Sequence, residues 1–205
     1  MQLWEGGPKF AEFNVGATID SYGNLTSGTE STSGSVDYYN TANCGGLYPW
    51  NNPNKNGRTE TWTSSVATGT GDVATTNWGS NWTTPTKDQL TALLDGLTEN
   101  TGTGTTLGLV WEWMDGSTSQ YVSGCTLEGY KISGKAGTVY ASNSIFLPKA
   151  GYYSYANTVI KAGAAYWSST DSSESGHSYG LNAGEKAVSS VYSGNGRSIR
   201  AILAE

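Results

Sequence analysis

AAYWSSTDSSESGHSYGLNAGEKAVSSVYSGNGRSIRAILAE, running from Ala164 to Glu205, is the stretch whose reading decides the fold. Two blocks in it read as fixed by folding: Tyr166-Trp167-Ser168-Ser169-Thr170, and Arg197-Ser198-Ile199-Arg200-Ala201-Ile202-Leu203. Between them the residues alternate. Tyr179, Leu181 and Ala183 fall on one face of a strand and Ser178, Gly180 and Asn182 on the other, because successive side chains of a strand point to opposite sides. The first set is expected to build core, the second to face solvent or a ligand.

Upstream, Thr86 stands three residues before Gln89, the spacing of a capping box, and Leu90, Leu93, Leu94 and Leu97 follow at helical intervals. A helix over 87–98 with one leucine stripe is expected, laid against a sheet. Short strands are expected at 107–114, 129–132 and 143–148. Near the start, Phe10 to Ile19 reads as a strand with apolar residues at 13, 15, 17 and 19. Ser21 to Asn43 has the Ser, Thr and Gly composition of surface loop. Cys44 to Pro53 packs Gly, Pro and aromatics into a turn-rich segment, in which Tyr48 and Trp50 are expected to form a packed corner.

The 205 residues suffice for one substantial domain. Only 14% are charged and 28 are glycine, while eight Trp and thirteen Tyr supply much of the apolar mass, so a loop-rich fold packed on aromatics is expected. A net charge of -6 without a Lys/Arg-rich patch argues against a nucleic-acid partner. No apolar run is long enough for a membrane span, and the first residues lack the basic and apolar regions of an export signal. Cys44 and Cys125 are too few for a disulfide framework and lack metal-ligand spacing; two small buried residues are expected, with a single bridge left open.

The sequence carries no recognisable catalytic motif. The one histidine, His177, lies in a polar tract without the neighbours of a triad. No zinc-hydrolase, P-loop or dinucleotide signature occurs. Glu112 and Asp115 are the one carboxylate pair to consider for glycoside hydrolysis, and they read as ordinary strand-end surface residues. No cofactor is expected, and structural calcium stays open.

The YWSST block, the following Y-x-L-N strand and the G-x-S-I-R-A-I ending of the C-terminal stretch resemble bacterial and phage C-type-lectin-fold proteins. So do Trp82-Thr83-Thr84-Pro85-Thr86 with its helix, and Asn143-Ser144-Ile145-Phe146-Leu147-Pro148 leading to Gly151-Tyr152. Many members of that group are variable proteins of diversity-generating retroelements, in which a reverse transcriptase rewrites chosen codons of this stretch. The resemblance implies an α+β C-type-lectin-like domain over 1–205: an N-terminal strand and loops at 1–43, scaffold at 44–163, and a variable-type region at 164–205. It has a small, mostly antiparallel sheet, at least one packed helix, extensive loops and terminal strands that pair.

It also implies a recognition protein and not an enzyme: a monomer whose partner is a protein or cell-surface ligand, displayed on a cell surface or phage particle if the chain is part of a longer protein. Matching positions one by one places Trp167, His177, Ser178, Gly180, Asn182, Glu185, Ala187, Ser189, Ser190, Tyr192, Asn195 and Arg197 at the binding surface, with Tyr179, Leu181, Val188, Gly196, Ile199 and Ala201 as scaffold. Tyr192 and Arg197 are the expected exposed anchors, and Arg200 is expected to tie down the final strand through a salt bridge. An adhesin or fibre module of the same fold is the alternative. An enzyme of the formylglycine-generating type is disfavoured, because Cys44 and Cys125 lie far from where that family keeps its cysteine pair.

Overall fold

The computed structural model describes residues 1–17, 44–54, 57, 71–99, 101–115, 128–154, 158–160 and 163–204. The loop expected at 21–43 and Cys125 lie outside them. The described chain is mixed α+β, with few helices and sheets whose strand pairs are all antiparallel.

In chain order the elements are α1 (Val73–Trp78), β1 (Trp82–Thr83), α2 (Lys87–Leu94), β2 (Gly102–Thr103), β3 (Val110–Met114), β4 (Gly129–Ser133), β5 (Ser144–Pro148), β6 (Tyr152–Ser154), β7 (Thr158–Ile160), β8 (Ala165–Asp171), β9 (His177–Asn182), β10 (Ala187–Tyr192) and β11 (Ile202–Leu203). The sheet orders are β2-β3-β4-β5, β8-β9-β10, β6-β7 and β1-β11.

Helix α2 forms as its signals dictate. The Thr86 hydroxyl accepts from the Gln89 N–H while the Gln89 side chain accepts from the Thr86 N–H, so two of the helix's orphan donors are satisfied reciprocally. Leu90, Leu93, Leu94 and Leu97 are all buried. The helix stops at Leu94, short of the expected Thr98, because Asp95 turns left-handed at φ 52°. The Asp95 carboxylate then accepts backbone N–H bonds from Thr106 and Leu109 at 2.9 Å and from Leu107. One buried acid thus organises the whole loop that leads into β3. Helix α1 has no periodic apolar signal; Asp72 caps it by accepting from the Thr75 N–H at 2.8 Å.

Two clusters of buried side chains divide the interior. The first joins the α2 leucines to Trp111, Tyr130, Ile132, Ile145 and Leu147 of the four-stranded sheet and to Tyr166 and Leu181 of the three-stranded one. The second joins Trp167 to Ala11, Val15, Tyr48, Val73, Ala74, Ile199 and Ala201. Tyr166 and Trp167 point to opposite sides of β8, so the three-stranded sheet is covered on both faces.

The N-terminal segment departs from the expected regular strand. Phe10 bridges Ile202, and the Ala11 and Val15 N–H groups donate to the carbonyls of Ala201 and Ile199, so the chain start pairs with its end. Of the expected alternating set Val15 is buried, Phe13 and Ala17 are half-buried and Ile19 lies outside the described residues; Phe10, Ala11 and Asn14 are buried as well, because the backbone turns at 14–17 instead of staying extended. Arg200 ties this seam together by donating to the carbonyls of Ala11, Glu12 and Phe146. The expected packed corner is present: Tyr48 is buried, and the Trp50 indole N–H donates to the Ser168 carbonyl at 2.9 Å.

Candidate binding surface on the C-terminal hairpin

The YWSST block is fixed by buried aromatics whose polar ends find partners. The Tyr166 hydroxyl donates to the Pro148 carbonyl at 3.1 Å, and the Trp167 indole N–H donates to the Tyr48 carbonyl at 2.8 Å. The β8–β9 register shifts between Trp167 and Asp171, where the Ser168 hydroxyl donates to the Tyr179 carbonyl at 2.9 Å.

Around β9 side chains pack on both faces of the sheet, the first cluster on the side of Tyr166 and Leu181 and the second on the side of Trp167, and this changes the expected inside and outside. Leu181 and Ala183 are buried as expected. Ser178 was expected at the surface and is 0% exposed, its hydroxyl 2.7 Å from that of Ser193 and 3.4 Å from Asp171 Oδ1. Gly180 is also buried, and a Cβ there would stand 2.9 Å from the Tyr166 carbonyl oxygen and 3.0 Å from Arg197 Nη1. Trp167 is buried in the second cluster. Tyr179, expected as scaffold, is half-buried instead, with the Lys87 ammonium 3.9 Å above its ring.

The remaining expected positions reach solvent but on two sides of the hairpin. Facing residues of paired strands share a side, so the register Tyr192 to His177, Ser190 to Tyr179 and Val188 to Leu181 defines one of them. There His177 packs edge-on to Tyr192 with ring centroids 5.9 Å apart. Glu174 lies between His177 and Ser190: its Oε1 is 3.6 Å from His177 Nδ1 and its Oε2 accepts from the Ser190 hydroxyl at 3.1 Å. The serine proton therefore points to the carboxylate and not to the imidazole, which is not the order a nucleophilic triad requires. Glu112, of the other pair considered, is engaged by Lys131 at 3.4 Å on the exposed sheet surface.

On the other side lie half-buried Asn182, Ala187 and Ser189, with Glu185 exposed at the turn and Asn195 half-buried beyond β10. Arg197 was expected to be an exposed anchor. It is 3% exposed, because the sheet and the rings of Tyr152 and Trp167, 5.6 and 5.2 Å from its guanidinium carbon, enclose it. Its Nη1 donates to Asn182 Oδ1 at 3.0 Å and approaches the Leu181 carbonyl at 3.5 Å, while buried Nε has no partner. Burial pushes its pKa down to about 10, so it still carries its charge at neutral pH. Tyr152, Asn182, Gly184, Glu185 and Arg197 line a cavity of about 120 Å³ here.

Lys186, which the sequence pattern does not single out, closes the β9–β10 turn. It adopts a left-handed backbone at φ 49° and is 8% exposed. Its ammonium sits 3.3 Å from the Trp111 ring centre and 4.2 Å from that of Tyr130, with no hydrogen-bond partner. Desolvation lowers its pKa to about 7. A lysine in a polar turn carries no signal of such burial; it follows from the turn folding back on the four-stranded sheet.

Among the described residues no three His, Cys, Asp or Glu side chains gather as metal ligands, and no helix is long and apolar enough to cross a membrane. Cys44 is a buried thiol. Compared with known proteins, the chain matches no family model, no curated protein and no solved structure.

Proposed function

We propose that this protein is a recognition module of C-type-lectin-like fold, whose C-terminal hairpin is the variable binding surface of a diversity-generating retroelement. The observation that supports this reading best is strand β10. All six of its residues are half-buried, so side chains on both faces reach solvent from an ordered backbone. The strand is held at each end: by Lys186 in its aromatic cage, and by Ser193, whose N–H donates to the Gly176 carbonyl at 2.9 Å and whose hydroxyl meets Ser178. Such a strand separates the two demands on a variable binder, because order is supplied by buried groups and contact by neighbouring exposed ones. The seam between the chain's start and end and the packing of α2 between the two larger sheets fit the proposed fold.

The locus tests the retroelement. A near-copy of the codons for 165–203, differing chiefly at adenines and lying beside a reverse transcriptase gene, is expected. Its absence from the complete locus would refute the retroelement and leave an adhesin or fibre module of the same fold. Recognition is tested separately with a library randomised at His177, Ser189, Ser190 and Tyr192 and selected against lysozyme as a test protein. Folded binders are expected, with melting temperatures within about 8 °C of the parent, since changes at half-buried positions whose side chains reach solvent cost about 0.5 kcal/mol each and 1 kcal/mol moves a chain of this size by about 2 to 4 °C. A library that yields only unfolded protein would refute the hairpin as a permissive surface.

A further inference from the structure

We infer that the outer edge of strand β10 pairs with the same edge of a second copy of this chain, giving a weak two-fold dimer whose sheet runs through both molecules. The pairing goes beyond the recognition reading and does not rest on it.

The direction of each backbone group in β10 follows from the ladder. Tyr192 faces His177, and the Ser193 N–H donates to the Gly176 carbonyl at 2.9 Å just beyond that pair. A bond in that place marks Tyr192 and His177 as a non-hydrogen-bonded pair, and the two kinds of pair alternate along an antiparallel ladder. Ala187, Ser189 and Val191 therefore bond to β9, whereas Val188 and Ser190 turn their N–H and C=O groups away from it. The other side of β9 agrees: the Ala183 N–H donates to the Ala164 carbonyl at 2.9 Å, which makes Ala165 and Asn182 a non-hydrogen-bonded pair and leaves Asn182 to bond Ala187. Among the described residues no hydrogen bond reaches the outward backbone groups of Val188 and Ser190. Helix α2 touches β8, β9 and β10 alike, so it lies across a face of this sheet and not along its edge.

The two edges of the sheet are treated differently. Beside β8 the Trp167 N–H donates to the Ser198 carbonyl at 3.0 Å and the Ser198 N–H to the Ala165 carbonyl at 3.1 Å, so that edge is closed by the chain itself. The β10 edge carries none of the devices that discourage strand addition: Ala187 to Tyr192 holds no proline and no charged side chain, and its register with β9 is unbroken. Its outward groups are also complementary to themselves. If Val188 faces Ser190 of the partner subunit, two-fold symmetry makes Ser190 face Val188 of the partner subunit, and the four outward N–H groups meet four outward carbonyls. Ser189 then faces its own copy on the axis, and Ala187 faces Val191 of the partner subunit, so only small uncharged side chains meet and no like charges are opposed. Facing residues share a side of the sheet, so the side that carries His177, Ser190 and Tyr192 continues from one copy to the other. Two hairpin surfaces thereby become one of twice the width.

Sedimentation of the full chain at about 0.15 M salt, which screens the charge of -6 on each copy, reads the self-pairing directly. One strand-to-strand contact buries less than the roughly 1,000 Å² of a stable interface, so the weight-average mass is expected to rise only between micromolar and millimolar protein. Ser189→Lys and Ser189→Glu each set like charges opposite one another on the axis and should stay monomeric, while their equimolar mixture should associate at least as strongly as the parent. Only folded chains can complement each other in this way, so the mixture also reports that both variants fold. Ser189→Cys should oxidise to a disulfide dimer, since a non-hydrogen-bonded pair brings its Cα atoms to about 4.5 Å, within disulfide reach. Ser190→Cys lies on the same strand but faces Val188 of the partner subunit, and should cross-link about tenfold more slowly because its own copy falls beyond the roughly 7 Å limit. The parent, oxidised alongside, controls for Cys44 and Cys125. A parent that remains monomeric at millimolar concentration would overturn the self-pairing and leave the edge to an extended segment of another protein. Association undiminished by either charge, or equal cross-linking at positions 189 and 190, would overturn it as well. The library selection reads capture of lysozyme and not self-association, so the dimer and the recognition reading can fail separately.

Discussion

Replacing Lys186 by Met is expected to stabilise the protein at pH 6 by about 2 to 3 kcal/mol, with the gain vanishing near pH 10.5. Its ammonium is buried with no hydrogen-bond partner, and the fall in pKa from 10.5 to about 7 corresponds to about 5 kcal/mol at 1.36 kcal/mol per pH unit. Two effects reduce that figure. The Trp111 and Tyr130 faces attract the cation by about 2 kcal/mol, and water still reaches the exposed fraction of the side chain. Methionine keeps the unbranched shape and gains sulfur–aromatic contact. Since the folded pKa is lower than the unfolded one, the unfolded chain holds the extra proton between about pH 7 and 10.5, and stability rises with pH across that window. Below pH 7 the full cost is present. Urea denaturation of both proteins at pH 6, 8 and 10.5 measures the difference, from which the other titrating groups cancel. A variant less stable than its parent at pH 6 would refute the reasoning, showing that the aromatic cage attracts the cation more strongly than burial penalises it. A difference independent of pH would refute it as well.

The hairpin's inside and outside can be ranked by urea midpoints. Leu181→Ala should cost about 2 to 5 kcal/mol by opening a cavity in the first cluster, Ser178→Ala about 1 to 2 kcal/mol by stranding Ser193, and Ser189→Ala within about 0.5 kcal/mol; equal midpoints for Ser178→Ala and Ser189→Ala would refute the placement. Asp95→Ala should cost about 3 to 5 kcal/mol, because three backbone N–H groups lose their acceptor. Amide exchange at Thr106, Leu107 and Leu109 should accelerate in that variant, and unchanged exchange would count against Asp95 as the organiser of the loop.

Features that depend on neighbours along the chain are legible in the sequence itself. The capping box at Thr86 and Gln89, the leucine stripe of α2 and the strands at 129–133 and 144–148 are of this kind, since each is set by local hydrogen bonds or by side-chain period. Burial of Leu181, Ile199 and Ala201 is legible as well, because an aliphatic residue in a structured stretch has one favourable destination. Alternation alone does not say how many faces of β9 are covered. That depends on what packs above and below the sheet, and with a cluster on each face Ser178 and Gly180 are buried as well as Leu181. The same limit applies to charge. Arg197 reads as a surface residue and Lys186 is not singled out, because isolated cations prefer water, and only the tertiary structure supplies the rings, amide and carbonyls that enclose them. Composition and period determined the mixed architecture and the scaffold ends of the hairpin; the long-range packing of chain segments far apart in sequence decided which polar groups face solvent and which are buried.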